Sequence, residues 1–243
     1  MRKICALLPL CWFSAGLYAE GGRVEVGASL LRYNYSSMTN NWDDSTLYSG
    51  GRKSLAETQS FATMDQDLSI RYMDDKWGFE FLDSTTSNRL LGFYSMMPNV
   101  YGQVALTYAQ DRTRDKQDDT VITDQKDYMW GLGLGARYYH HHDTCIMDMG
   151  GSLEYTRAYE ATFDLGGPKD VSTDTRNLNL LLHANYYRAV AEHLYVGGGL
   201  TLTAIVTGKS TAISTDEIQT TSGTSKNKGW SLGIELAGVR FSF

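Results

Sequence analysis

The chain has 243 residues, 42% of them apolar and 21% charged, with a formal net charge of −6 at pH 7. A negative balance argues against a nucleic-acid partner, because gripping a polyphosphate backbone needs an excess of Lys and Arg. An internal disulfide framework is excluded if the first nineteen residues are a leader: Cys5 and Cys11 leave with it, and only Cys145 remains.

That leader is the first predicted element. Arg2 and Lys3 precede an apolar run, and Ser14, Ala15, Gly16 and Ala19 follow it, which is the order of a secretory signal peptide. The run is broken by Pro9 and falls short of the ~20 residues that a bilayer-spanning helix requires. Cleavage after Ala19 leaves residues 20–243 as a single domain, with a net charge of −8 once Arg2 and Lys3 are gone. No later segment could be a membrane-spanning helix, so any crossing of a bilayer must use strands.

From residue 23 onward the period is two. Ten alternating segments are predicted at 23–35, 60–73, 77–84, 89–97, 100–110, 127–141, 144–157, 175–187, 193–206 and 229–243. The sixth shows the pattern well. Tyr128, Trp130, Leu132, Leu134, Ala136 and Tyr138 share one face, opposite Met129, Gly131, Gly133, Gly135 and Arg137. The first segment slips phase at Leu30 and Leu31 and the last near Leu236 to Gly238, where β-bulges are expected.

The connections alternate in length. Short ones fall at Asp74-Asp75, Pro98-Asn99, His142-Asp143 and Ala189 to Glu192. Long polar ones, rich in Ser, Thr, Asp and Gly, fill most of the other intervals and carry no apolar period, so they are read as loops. A turn at Pro98-Asn99 puts Leu91, Phe93 and Met97 on the outer face, continuing into Val104, Leu106 and Tyr108. A turn at His142-Asp143 sets Arg137 opposite Asp148. Aromatic residues gather at both ends of the segments: Tyr72, Trp77, Tyr138, Tyr186, Phe241 and Phe243 near the short turns, and residues such as Tyr108, Trp130, Tyr155 and Trp230 near the long connections. Two ring-bearing girdles with an aliphatic band between them suit the two headgroup levels of a bilayer.

In this pattern the whole stretch after the leader resembles the small bacterial outer-membrane β-barrel proteins, the porin-like and OmpA/OmpX-like group. The resemblance implies an all-β fold: one antiparallel up-and-down transmembrane barrel of ten strands, with eight or twelve as alternatives. It implies location in the cell outer membrane, contact with its lipid and lipopolysaccharide, and an extracellular ligand as a further partner through the loops. It also implies that the terminal "VRFSF", with Val239, Phe241 and Phe243, is read by the barrel-insertion machinery.

By parity Glu25, Asp65, Asp67, Glu80, Asp148, Glu154 and Glu235 point into the barrel, with Arg71, Arg137 and His183. Seven acids against two arginines leave a surplus of about five negative charges. Two readings follow. A narrow interior cross-linked by ion pairs fits a structural or surface-interaction role, and a wet lumen fits a small cation-preferring pore.

A third reading is a barrel hydrolase. Asp65 and Asp67 form an acidic pair, but no partnering Asp-His motif accompanies them, and His140 and Ser152 lack matching parity for a lipid A-modifying site. His140, His141 and His142 lie on alternating faces without a carboxylate or cysteine cluster, so no metal is expected. No nucleotide fingerprint is present, and no cofactor is expected.

Overall fold

The structure is a computed structural model describing residues 22–42, 55–84, 87–117, 120–164, 170–215 and 220–243. The leader lies outside the described residues. Ten strands follow one another: β1 (Arg23–Trp42), β2 (Leu55–Met73), β3 (Trp77–Asp83), β4 (Asn88–Met97), β5 (Val100–Gln117), β6 (Thr120–His142), β7 (Cys145–Asp164), β8 (Asp170–Ala191), β9 (Leu194–Thr215) and β10 (Thr220–Ser242). Each pairs antiparallel with its neighbour, and β1 pairs with β10, so the sheet closes on itself. Closure satisfies every strand edge at membrane depth, where no water is available to do so.

The outer face is apolar and exposed. Val104, Leu106, Leu132, Leu134, Leu153, Leu200 and Leu202 project from it, Leu134 with 69% of its surface free. Trp77, Tyr94, Tyr138, Tyr186, Phe241 and Phe243 ring the short-turn end. Tyr33, Tyr108, Tyr128, Trp130, Tyr155 and Trp230 ring the other. Tyr72 keeps its expected place in the lower girdle, alternating with the inward Arg71 and Met73, and is covered there by Trp77 and Phe79 at centroid distances of 5.0 and 5.7 Å. A band of greasy side chains left open to solvent this way belongs in lipid.

Two expectations are corrected. The first concerns β4. The turn at Pro98-Asn99 forms, with Asn99 at a φ of 63° and Met97 opposite Val100. The register then shifts between Ser95 and Met97, so that Leu91 faces Ala105 and Phe93 faces Gln103. This bulge sends Leu91 and Phe93 inward, where both are buried, and sends Leu90 and Tyr94 outward. One extra residue reverses the facing of the whole strand.

The second correction concerns the long polar connections, which are mostly strand. β6, β8, β9 and β10 run 22 or 23 residues each, more than twice the ~10 that a tilted strand needs to cross the bilayer. Above the membrane both faces of the wall meet water, so nothing enforces apolar alternation there, while Thr-rich backbone still pairs. The β3–β4 hairpin is the exception, at 7 and 10 residues. Among the described residues, β2 above Leu68 pairs only with β1, and β5 beyond Tyr108 only with β6. The wall is therefore low on one side.

Candidate functional site

The interior is densest near the short turns. Arg71 on β2 and Glu80 on β3 face each other directly in the ladder. The turn before β7 shifts the expected register, so Asp148 faces Tyr139 and Arg137 faces Gly150. The shift keeps parity, and Arg137 reaches Asp148 along the diagonal.

Arg71 Nη2 donates to Glu80 Oε1 and to Asp148 Oδ2, each at 2.8 Å, and Nη1 donates to Glu25 Oε2 at 3.4 Å. Arg137 Nε donates to Asp148 Oδ1 at 2.5 Å and Nη1 to Glu80 Oε2 at 2.6 Å, while its Nη2 also bonds Asp148. The Tyr139 hydroxyl donates to Glu25. His183 Nε2 lies 3.2 Å from Asp148 Oδ1, and Arg240 Nη1 lies 3.7 Å from Glu25 Oε2. Arg71 is 1% exposed and Asp148 0%.

Three guanidiniums also lie over inward-facing rings: Arg71 over Tyr139 at 4.9 Å, Arg137 over Phe93 at 4.9 Å and Arg240 over Tyr187 at 4.6 Å. An aromatic face stabilises a desolvated cation. Below the cluster, toward the short turns, Met73, Ile146 and Tyr195 are buried. Charges so deeply buried persist because Arg71, Arg137, Glu25, Glu80 and Asp148 are paired and hydrogen-bonded, whereas Arg240 Nε and Nη1 are buried without a hydrogen-bond partner among the described residues.

A second tier sits above. Arg89 pairs with Glu154, which also accepts from Ser152 Oγ at 2.8 Å. Arg32 Nη1 meets Asp67 Oδ2 at 2.5 Å, and the Tyr187 hydroxyl donates to Glu235 Oε2 at 2.5 Å. Glycines make room for these groups. A Cβ on Gly133 would lie 2.6 Å from Glu154 Cγ, and one on Gly233 would lie 3.0 Å from Arg32 Nη2. Between the tiers is a cavity of about 170 Å³ lined by Ser29, Arg32, Asp67, Arg89, Gln103 and His183, among others. Ser29 Oγ and Gln103 Oε1 are buried there without a hydrogen-bond partner among the described residues. A polar chamber of that volume suits several bound waters.

The expected interior residues Glu25, Asp67, Arg71, Glu80, Arg137, Asp148, Glu154, His183 and Glu235 all face this interior. Asp65 is opposite Arg32 in the ladder, and its side chain lies outside the described residues. Arg32, Arg89 and Arg240 are interior groups that alternation missed. The described interior thus holds six carboxylates and five guanidiniums in these two tiers, which corrects the expected surplus of about five negative charges.

The features singled out for chemistry are dispersed. Asp67 is engaged by Arg32. Ser152 points inward, whereas His140 stacks with His142 at 6.3 Å on the outer face near a short turn. No group of three His, Cys, Asp or Glu side chains positioned for a metal occurs among the described residues.

Above the girdle, the upper wall holds a cavity of about 560 Å³ lined in part by Asp111, Asp127 and Glu160. Gln125 Nε2 donates to Asp127 Oδ2 at 3.0 Å and Glu160 Oε1 at 3.3 Å. Burial first, and the Asp127 charge second, push the Glu160 carboxyl above the usual glutamate range. On the outside, Asp174 bonds both Arg157 and Arg176, which hold its carboxyl below the usual range.

No known family pattern matches the chain, and no curated protein sequence matches it. Among solved structures it is similar to the outer membrane protein OprG from Pseudomonas aeruginosa, at 14% identity and a TM-score of 0.47 over 92% of this chain and 96% of that one. It is similar to the outer membrane protease OmpT from Escherichia coli, at 10% identity and a TM-score of 0.42 over 92% and 97%. It is also similar to Ail, the attachment invasion locus protein of Yersinia pestis, at 14% identity and a TM-score of 0.32 over 91% and 99%. Likenesses this distant carry no role across. The closed sheet, the girdled apolar exterior and the ion-paired interior are those of a small outer-membrane-type β-barrel.

Proposed function

We propose that this chain is a sealed barrel of the bacterial outer membrane, whose work is done by the wall and rim that rise above the lipid. One observation carries this reading. Glu25, Arg71, Glu80, Arg137 and Asp148 come from five different strands, meet near the short-turn mouth and are buried there. A solute would have to break several charge-assisted hydrogen bonds at once to pass, and each strand of the cluster holds the others in place. Val239 and Phe241, with Phe243 just beyond β10, lie beside the closing seam with β1, and the exposure of the two phenylalanines supports reading the three as an insertion signal.

The near balance of interior charge also removes the main support for a cation-preferring pore. Planar-bilayer recording on the purified full chain tests the reading. We expect no unitary current from the wild type, and rare or frequent openings from Arg71→Ala/Arg137→Ala. Steady cation-selective steps from the unmodified protein would overturn it and favour the small pore.

A further inference from the structure

The outer wall carries a cationic pocket that the sealed-barrel reading does not use. The β9–β10 ladder runs from the rim down to Lys226 opposite Lys209, then breaks, and resumes only at Trp230 opposite Ala204. Four residues of β9 and three of β10 lie in the interval, and a register shift on the β8 side, between Leu178 and Asn179, falls at the same height. The break opens a cavity of about 470 Å³, lined by Thr207, Lys209, Thr224, Lys226 and Lys228, among others.

Parity places all five of these on the lipid-facing side. Lys226, Lys228 and Trp230 alternate with the buried, inward Ser225 and Asn227. Thr207 and Lys209 face Leu178 and Arg176 across the ladder.

The charges here are arranged against their own stability. Arg176 faces Lys209, and Lys209 faces Lys226, so three cations stand directly opposite one another on consecutive strands. Like charges so placed repel. Asp174 neutralises Arg176. Lys209, Lys226 and Lys228 have no acidic partner among the described residues. Elsewhere on the outer wall an arginine is matched in place, as Arg112 is by Asp124.

Height identifies the missing anion. Trp230, packed against Tyr35 at 5.4 Å, belongs to the upper girdle. Lys228 and Lys226 lie two and four residues above it, about 7 and 13 Å along the strand. That is the headgroup level of the outer leaflet.

We propose that this pocket binds the phosphoryl group of an outer-leaflet lipid headgroup. The lysines supply charge, and the Thr207 and Thr224 hydroxyls supply hydrogen bonds. The acyl chains would lie down the greasy strip of Val206, Leu202 and Leu232 below.

Native mass spectrometry of the full chain in neutral detergent tests this with phosphatidic acid, phosphatidylcholine and inorganic phosphate as separate probes. The wild type should retain one phosphatidic acid in clear preference to phosphatidylcholine, and should not retain inorganic phosphate at equal concentration. At about fivefold per lysine near a charged surface, K209Q/K226Q/K228Q should weaken retention on the order of a hundredfold. K76Q/K126Q should not weaken it. Heat-modifiable gel mobility of each variant reports that the barrel is intact. Equal retention by the triple variant with an intact barrel would overturn the proposal. So would equal retention of phosphatidylcholine, whose phosphodiester is already neutralised by its own quaternary ammonium, because the lysines would then be reading no net anion. Retention of inorganic phosphate as strong as that of the lipid would replace the lipid with a free anion.

Discussion

The lower interior and the upper interior bury polar groups in different ways. Near the short turns the solution is ionic: Arg71, Arg137 and Arg240 are matched with Glu25, Glu80 and Asp148 and stacked on Tyr139, Phe93 and Tyr187. In the upper wall between β8 and β10 the solution is neutral. Thr175 Oγ1 and Ser210 Oγ share a hydrogen bond of 2.7 Å. Asn227 Nδ2 donates to Ser210 Oγ at 2.8 Å, and Ser225 Oγ donates to Asn227 Oδ1 at 3.0 Å. The ion pairs at that height have moved to the outer surface, as in Arg157–Asp174–Arg176.

The difference follows from what lies outside the wall. Where the exterior is hydrocarbon, charge can only be held inside and must be satisfied there. Above the hydrocarbon, where the exterior is hydrated headgroup or water, charge can be held outside on the β8–β10 side, and short hydroxyl and amide groups are enough to tie the inner faces of those strands together.

Three substitutions would sharpen or break this contrast. Arg71→Ala should have the largest effect, because it leaves three carboxylates buried without their common partner. A loss of about 3–5 kcal/mol is expected, read as a marked fall in the temperature at which the folded gel band disappears. Asn227→Ala removes a neutral hub and should cost about 1 kcal/mol by the same measurement. If the two losses were equal, the distinction between ionic and neutral interiors would fail.

The smallest effect concerns pH. Glu160 has its carboxyl raised in the folded barrel by burial and then by Asp127. A raised acid contributes its stability below the unfolded value of about 4.5 and loses it as pH rises through the folded value. Glu160→Gln should therefore flatten the decline in melting temperature that begins at about pH 4.5, by less than about 1 kcal/mol because the carboxyl is only partly buried. A variant whose melting temperature declines as steeply as the wild type would show that Glu160 is not the group responsible.

Alternation alone was enough to read ten strands, both girdles and most of the interior acids, because lipid outside and polar groups inside leave a strict period. It failed where the period is interrupted. Arg32 follows the bulge at Leu30 and Leu31. Arg240 lies past the register shift between Glu235 and Gly238. Arg89 belongs to the strand turned over by the bulge beside Met97. Each missed guanidinium is thus separated by one irregularity from the residues used to assign facing.

Two of those irregularities were visible as phase slips, at Leu30–Leu31 and Leu236–Gly238. Carrying the changed parity through them would have recovered Arg32, while Arg240 could be read by counting back from Phe241. The third left only the Met96-Met97 doublet before Pro98-Asn99 as its mark. The upper strands were illegible for a different reason, since a wall wetted on both sides imposes no pattern.

Among the described residues, the low β3–β4 hairpin leaves one side of the main chain of β2 and of β5 unpaired along their upper lengths, facing one another across a notch about two strands wide. Bare amides and carbonyls of that kind invite a neighbouring molecule to extend the sheet. On β5 the stretch concerned reads Asp111, Arg112, Thr113, Arg114, Asp115, Lys116, with charge of both signs and almost nothing greasy. A second copy docking there would have to strip water from ions at five of those six positions. The notch therefore remains a side door through which solvent reaches the cup above the salt-bridged floor, rather than a seam along which barrels polymerise.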